Sequence, residues 1–144
     1  MIEAIPNYID GDWAKAESRG TVAVENPSTG ESIARAALST DAEVNRAVEA
    51  AAAAFPAWSQ TPAARRVQPL FELAALLRRN QERIARQICE EMGKSLPDAR
   101  AEMKRTIENC EVACGAPVLQ QGHKLVGASD GIDAEVIRVP LGVF

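Results

Sequence analysis

The sequence predicts a mostly helical fold with short antiparallel β elements at both ends. Turn-forming residues break the first 38 residues into apolar runs of four to six residues, which is typical of short strands. From Ser39 to about Gln121 the apolar residues recur with a period near 3.6, which indicates helices. Apolar and polar residues alternate again over Ile132 to Val139, which predicts a strand.

Length and composition indicate one soluble globular domain. The chain has 144 residues, of which 47% are hydrophobic and 25% are charged. Its formal net charge of -4 provides no broad positive field for a phosphate backbone, so we expect no nucleic-acid partner. The start lacks the basic patch and apolar run of a secretory signal, and no stretch reaches the length needed to cross a bilayer. We therefore expect a cytoplasmic protein without a membrane partner, whose three cysteines are reduced thiols.

The opening residues predict a small antiparallel unit. Tyr8 to Trp13 and Thr21 to Glu25 are expected to pair with each other, and Ser32 to Leu38 is expected to form a third strand. A β unit of this size is only marginally stable unless it packs on something else.

Several start and stop signals divide the helical region. Thr40 and Glu43 have the spacing of a capping box, and Pro56 is expected to close the helix that follows. Thr61 and Pro62 are a second start signal, whereas Pro69 predicts a kink or a later true start. The apolar faces predicted for these two helices comprise Val44, Ala47, Val48, Ala51 and Phe55, and then Leu70, Leu73, Ala74 and Leu77.

Two further helices are predicted before the last strand. Asn80 is expected to cap a third helix that Gly93 ends in the left-handed conformation. Ser95 and Pro97 open the longest helix, which is expected to run to about Gln121 with Gly115 and Pro117 bending its last turns. Its apolar face comprises Ala99, Met103, Ile107, Cys110 and Cys114, and residues 122 to 131 are expected to form a loop or hairpin.

Most motifs that suggest chemistry have a simpler structural explanation. Gly93-Lys94-Ser95 lacks the earlier glycine of a phosphate-binding loop, so a helix stop and restart is favoured. A metal shared by Cys110, Cys114 and His123 is disfavoured, because two thiols on a core-facing helix rarely form such a site. Cys89 has no nearby base or helix start that would generate a thiolate, and no GxGxxG turn follows a strand. We therefore expect no metal site, no nucleophile at Cys89 and no glycine turn for a nucleotide in this chain.

Arg105 is the one candidate binding residue. It lies in the middle of the longest helix close to the apolar face, so we expect it to be less exposed than an ordinary surface arginine. The alternative is a local salt bridge with Glu102 or Glu108, which is common at helical spacing and weak. Sequence spacing leaves both interpretations open.

Several segments together resemble the opening part of the aldehyde dehydrogenase superfamily. They are NYIDGDW, NPSTGE, DAEVNRAVEAAAAAFPAWSQTP, EEMGKSLPDARAEMKRTIE and IRVPLGVF, in the order in which that family has them. The phrase VACGAPVLQQG is most similar to the methylmalonate-semialdehyde subgroup. The similarity extends over almost the whole chain but over well under half of a family member.

The resemblance implies an α/β parent enzyme that oxidises methylmalonate or malonate semialdehyde with NAD, through a cysteine thiohemiacetal and thioester. Carbon dioxide is lost and the acyl group passes to coenzyme A. The family's catalytic cysteine, glutamate, asparagine and nicotinamide-binding turn follow the segment that matches residues 140 to 143. The resemblance therefore implies that this chain alone is inactive and binds neither NAD nor coenzyme A.

The resemblance also implies a division of the chain and a role for Arg105. Residues 1–122 correspond to the N-terminal part of the NAD-binding domain, and residues 123–144 to a hairpin of the oligomerisation sheet that leads into the Rossmann-type core. Arg105 falls where the family's long helix borders the substrate tunnel, and a guanidinium there suits a substrate with a carboxylate. A homo-oligomer is expected, because the hairpin edge should pair with another chain.

A second hypothesis belongs to another class: a free-standing helical interaction module without catalysis. The chain ends in Pro140, Leu141, Gly142, Val143 and Phe144, which is unusually apolar for a terminus and typical of a strand that enters a core. A coding frame that continued past Phe144 into a glycine-rich turn would eliminate this second hypothesis.

Overall fold

The computed structural model describes residues 4–16 and 19–144 of the chain. The strands are β1 (Ala4–Ile5), β2 (Asn7–Ile9), β3 (Asp12–Ala14), β4 (Thr21–Glu25), β5 (Ser32–Ala37), β6 (His123–Ser129) and β7 (Ile132–Val136). The helices are α1 (Asp41–Gln60), α2 (Ala63–Arg66), α3 (Gln68–Met92), α4 (Leu96–Cys114) and α5 (Ala116–Leu119). A mostly helical segment with short β elements at both ends is therefore confirmed. No helix in the described residues is long and apolar enough to span a membrane.

The N-terminal strands pair differently from the prediction. Tyr8 to Trp13 is not one strand but a hairpin, because Asp10 and Gly11 both adopt positive φ, 53° and 87°, and reverse the chain. The hairpin places Tyr8 opposite Trp13, with ring centroids 4.9 Å apart. The predicted pairing of this segment with β4 is therefore wrong.

A separate three-stranded sheet has the order β1-β5-β4. β4 pairs antiparallel with β5, which confirms the strand predicted after Ser32, and β1 pairs with β5 in parallel. The turn between β4 and β5 is held by Asn26, whose Oδ1 accepts a hydrogen bond from the Ser28 amide at 2.9 Å.

The capping box that opens α1 is present. The Thr40 hydroxyl accepts from the Glu43 amide at 3.3 Å, and a carboxylate oxygen of Glu43 accepts from the Thr40 amide at 2.7 Å. Pro56 does not close this helix, which continues to Gln60. A proline removes one backbone hydrogen bond, and here the turn beyond it is held by side chains: Ser59 donates to the Pro56 carbonyl and Thr61 to the Ala57 carbonyl.

The second predicted helix, which was expected to start at Thr61 and Pro62, begins later as α3 and runs further, through the region of the third predicted helix. The chain breaks at Val67, and Pro69 lies in the first turn of α3, so the later true start is confirmed. Asn80 does not cap a new helix, because its amide donates to the Leu76 carbonyl at 2.8 Å inside the continuous α3. Gly93 ends α3 with φ 69°, as predicted.

The best-buried part of the chain lies between α3 and α4. Ala85 and Ala99 are fully buried where the two helices meet, and Met103 packs beside them. The predicted apolar face of α4 is confirmed, since Met103, Ile107 and Cys110 are buried. The helix ends at Cys114, earlier than predicted, and α5 follows after Gly115. The prediction that this is the longest helix is wrong, because α4 has 19 residues and α3 has 25.

Large apolar surfaces remain outside this core. On the predicted face of α1, Val44 and Val48 are 55% and 51% exposed, because the described residues provide only the edge of the β2–β3 hairpin to cover them. In the hairpin of β6 and β7 every residue is exposed. Contiguous patches of this kind usually mark surfaces that contact another protein body.

Gly93 generates the first prediction, because an alanine there would be strained twice. Its φ of 69° is unfavourable for an L-residue, and an added Cβ would lie 2.9 Å from Pro27 Cγ and 3.0 Å from Ser28 Oγ. We expect Gly93→Ala to lower the free energy of unfolding by more than the ~1 to 2 kcal/mol of the backbone strain alone.

Gly30→Ala is the matched control for this variant. Gly30 has a similar φ of 72° but nothing within 4 Å of an added Cβ. Urea unfolding of both variants therefore separates strain from contact. Equal destabilisation by the two substitutions would show that an alanine at position 93 makes no unfavourable contact with Pro27 and Ser28 in the turn between β4 and β5.

Glu82 of α3 generates the second prediction. Arg100 of α4 donates to its two carboxylate oxygens at 2.9 and 2.8 Å, and Arg86 lies 2.9 Å away. The hydrogen bonds from Arg100 and the charges of both arginines lower the pKa of Glu82, against an opposing effect of desolvation. A carboxyl with a lowered folded-state pKa contributes stability above its unfolded pKa, and this contribution is lost as the pH falls through the folded pKa.

We therefore expect Glu82→Gln to be slightly less stable than the unchanged chain at neutral pH. The free energies of unfolding of the two proteins should converge as the pH falls through the folded-state pKa of Glu82, because a protonated glutamate resembles glutamine. Urea unfolding at a series of pH values measures this difference. Glu72→Gln, on the same helix, is the control and should show no such convergence; a difference for Glu82→Gln that persisted undiminished into acid would contradict the prediction.

Candidate functional site

Arg105 lies on the exposed face of α4. Ser95 caps the start of the helix, because its hydroxyl accepts from the Asp98 amide at 3.3 Å, and the opposite side of the helix packs on α3. Arg105 is two residues from Met103 and two from Ile107, both buried, so it points about 160° to 200° away from them around the helix. The expectation of an unusually sheltered arginine is therefore wrong for this chain, because the residue is exposed.

The carboxylates nearest to Arg105 along the helix bind other cations. Lys94, in the connection between α3 and α4, donates one charge-assisted hydrogen bond to the Glu102 carboxylate. Glu108 lies 3.7 Å from Lys104. The local salt bridge that offered an alternative role for Arg105 is not formed, and its guanidinium makes no hydrogen bond or ion pair within the part of the chain that the structure describes.

This arrangement leaves a positive charge available to a ligand. A guanidinium presents several N–H donors in a plane and binds a carboxylate through two parallel hydrogen bonds. Because the flanking acids are engaged elsewhere, an anion that approaches this face of α4 does not first have to displace an internal partner of Arg105.

The residues weighed as metal ligands or nucleophiles lie apart or inside. The Cys110 thiol donates to the Leu70 carbonyl at 3.3 Å, Cys89 packs beside the core, and His123 is exposed in β6. Partial burial raises the pKa of the Cys114 thiol, and Cys110 and Glu111 reinforce this against an opposing effect of Arg78. Such a thiol is a weak nucleophile at neutral pH. Over residues 4–16 and 19–144 no three potential ligands gather into a metal site.

The start of α1 is the place to test for a dinucleotide, because it is the one long helix in the described ranges that directly follows a strand. Pyrophosphate groups bind at such a helix start when its backbone amides are free. Here Thr40 accepts from one of these amides, and the buried carboxylate of Glu43 adds negative charge. The residues at this position therefore do not fit a dinucleotide.

Gly93-Lys94-Ser95 forms a corner between helices, not a phosphate loop. Gly93 ends α3, Ser95 caps α4, and Lys94 points to Glu102. Sequence reasoning found the helix stop but missed the ion pair. The eight-residue separation of Lys94 and Glu102 spans a change of element, so no helical periodicity indicates it.

A shallow cleft of about 200 Å³ lies elsewhere, between the end of α1 and α5. It is lined mainly by Trp58, Val67 and Leu70, with Arg66 and Gln120 at its polar side. The Arg66 guanidinium donates to the Gln120 side chain at 3.3 Å, whereas its Nε is enclosed with no hydrogen-bond partner in the described ranges. This cleft is distinct from the face that carries Arg105.

Comparison with known proteins supports a family assignment. Residues 13–144 match the aldehyde dehydrogenase family. The malonate-semialdehyde dehydrogenase of Bacillus pumilus (strain SAFR-032) is 42% identical over 143 residues, which are 99% of this chain and 29% of that protein. This chain therefore spans less than a third of that relative's length.

Solved structures agree in fold. The methylmalonate-semialdehyde dehydrogenase of Oceanimonas doudoroffii superposes with a TM-score of 0.89 at 37% identity, over 98% of this chain and 28% of that one. A protein of Sinorhizobium meliloti 1021 assigned to the same activity and solved with NAD gives a TM-score of 0.88 at 36% identity, over 99% of this chain and 29% of that one.

The segments that resembled this superfamily thus agree with an independent family match and with closely superposable structures. The Bacillus pumilus and Oceanimonas doudoroffii proteins are malonate- and methylmalonate-semialdehyde dehydrogenases, which is the subgroup that the residues before β6 indicated. The chain belongs to the aldehyde dehydrogenase family.

Proposed function

We propose that this chain is the N-terminal segment of an NAD-dependent dehydrogenase of methylmalonate or malonate semialdehyde. In the proposed reaction the aldehyde is oxidised to the acyl level, the substrate carboxylate leaves as carbon dioxide, and the acyl group passes to coenzyme A. The sequence match to semialdehyde dehydrogenases supports the substrate class. NAD and coenzyme A are proposed to bind parts of the enzyme outside these 144 residues, so the chain alone is proposed to be inactive.

The exposed guanidinium of Arg105 is the observation on which the proposal rests. Both semialdehydes bear a carboxylate. An enzyme that selects them over neutral aldehydes needs a cation in its substrate site to pair with this carboxylate. The guanidinium of Arg105 is exposed, Glu102 is bound by Lys94, and Glu108 is loosely paired with Lys104. Arg105 is therefore available for bidentate pairing with the substrate carboxylate.

The two ends of the chain are proposed to have separate tasks. Residues 1–122 form the N-terminal part of an NAD-binding domain, and residues 123–144 provide a hairpin to an oligomerisation sheet. In support, β6 and β7 pair only with each other in the described part of the chain, so each strand keeps one free edge. Exposed Val126 and Ile132 give this hairpin an apolar surface suited to a second copy of the chain.

The third prediction tests Arg105 in a hybrid, in which residues 1–144 replace the matching segment of the Oceanimonas doudoroffii enzyme. We expect Arg105→Gln to lower kcat/KM for malonate semialdehyde about 10- to 150-fold, because a hydrogen bond to a charged group contributes ~1.5 to 3 kcal/mol. The rate with propanal, which has no carboxylate, should change little. NADH formation measures both reactions.

Arg79→Gln is the matched control, since Arg79 is an exposed arginine on α3. It should leave both substrates unaffected. Equal losses for the charged and the neutral aldehyde in Arg105→Gln would contradict a role in carboxylate binding. NADH formation by the purified 144-residue chain alone at the rate of a complete enzyme would contradict the proposed division of labour.

The fourth prediction concerns association through the hairpin. We expect the purified chain to form a dimer or larger oligomer at micromolar concentration, because its apolar surfaces and free strand edges bury each other. Val126→Lys combined with Ile132→Lys should shift the population toward monomer, and sedimentation velocity measures the shift. A clean monomer of the unchanged chain at that concentration is the result that rules this out.

A further inference from the structure

We propose that Lys94 is a positioning residue that keeps Arg105 available to an anionic substrate by holding the carboxylate of Glu102. This inference rests on the proposed function of Arg105 and adds a residue outside α4 that controls it. Lys94 lies at the corner between α3 and α4, and its ammonium donates one charge-assisted hydrogen bond to the Glu102 carboxylate.

Glu102 is the most effective internal competitor for Arg105. It precedes Arg105 by three residues on the same helix, and side chains at this spacing are neighbours on the helix surface. An acid that lies N-terminal to its basic partner also has the more favourable order with respect to the helix dipole. Without another partner, the Glu102 carboxylate would therefore pair with Arg105.

Glu108 competes less well. It follows Arg105 by three residues, which is the less favourable order of charges. It also lies near Lys104, although that pair is loose, with a separation of 3.7 Å and side-chain exposures of 76% and 54%. Control of Arg105 therefore depends mainly on Glu102.

The pair of Lys94 and Glu102 is the more sheltered of the two. Its side chains are 27% and 37% exposed, so solvent screens their attraction less than that of Lys104 and Glu108. Lys94 directly follows Gly93, which is in the left-handed conformation and so near to Pro27 that an added Cβ would lie 2.9 Å from its Cγ. Lys94 therefore binds Glu102 from the corner between α3 and α4, outside α4 itself.

The expected effect follows from the population of free Arg105. A surface ion pair of ~0.3 to 1 kcal/mol would leave roughly 15% to 40% of Arg105 free once Glu102 is released. The apparent affinity for the substrate falls to that fraction of its original value, so KM for the charged semialdehyde rises about three- to sixfold. The neutral aldehyde does not use Arg105, and its KM stays constant.

The fifth prediction is tested with three variants of the hybrid enzyme: Lys94→Met, Glu102→Gln and the double variant. All three lose the same ion pair, but only Lys94→Met leaves a free carboxylate beside Arg105. We expect Lys94→Met to raise KM for malonate semialdehyde about three- to sixfold with kcat little changed. Glu102→Gln should keep the original KM, and the double variant should restore it.

A purely structural role of the ion pair predicts a different pattern. Glu102→Gln and the double variant would then be impaired as much as Lys94→Met, and this result would overturn the inference. An unchanged KM in Lys94→Met, together with a raised KM in Arg105→Gln, would also overturn it while leaving the proposed function intact. No effect of Arg105→Gln on the charged aldehyde would instead reject the proposed function.

A second measurement uses the 144-residue chain itself. In a ¹⁵N-labelled sample, we expect the Nε–H proton of Arg105 to exchange with solvent more slowly in Lys94→Met than in the unchanged chain. Exchange in Glu102→Gln and in the double variant should match that of the unchanged chain. Equal exchange rates in all four proteins would show that Glu102 does not reach Arg105 and would overturn the inference.

Discussion

The close contact of α3 with α4 is the constraint on which the rest of this structure depends. Ala85 and Ala99 are fully buried where the helices meet, and their small side chains let the two backbones approach closely. Arg100 extends the contact to the surface by binding Glu82. This packing fixes the rotation of α4 about its axis, and so it determines that Met103 faces inward and Arg105 outward.

The features of the fold that depend on residues close together in the chain were predicted well from the sequence. The capping box of Thr40 and Glu43, the helix stop at Gly93 and the buried face of α4 each depend on residues a few positions apart. The errors arose at residues whose local sequence is compatible with more than one structure. Asn80 bonds back to Leu76 instead of capping a helix, and Pro56 removes one hydrogen bond without ending α1.

Contacts between elements could not be predicted in the same way. The hairpin at Asp10 and Gly11 was missed although its signal is local, because an Asp-Gly turn with two positive φ values divides the expected single strand into two. The position of Arg105 on α4 followed from the sequence, but its exposure and the engagement of Glu102 by Lys94 did not. Both depend on how α3 and α4 pack, and a helical repeat within one segment carries no information about the corner between two.

The geometry at Gly93 gives this position the preference of a mirror-image amino acid. With φ at 69°, the hydrogen that an L-residue replaces with Cβ points at Pro27, whereas the other hydrogen lies on the side that a D-residue would occupy. D-alanine introduced by chemical synthesis would suit this backbone and would also restrict the unfolded chain. An L-residue at position 93 would therefore push against Pro27 in the turn between β4 and β5, whereas a D-residue would leave the corner between α3 and α4 unchanged.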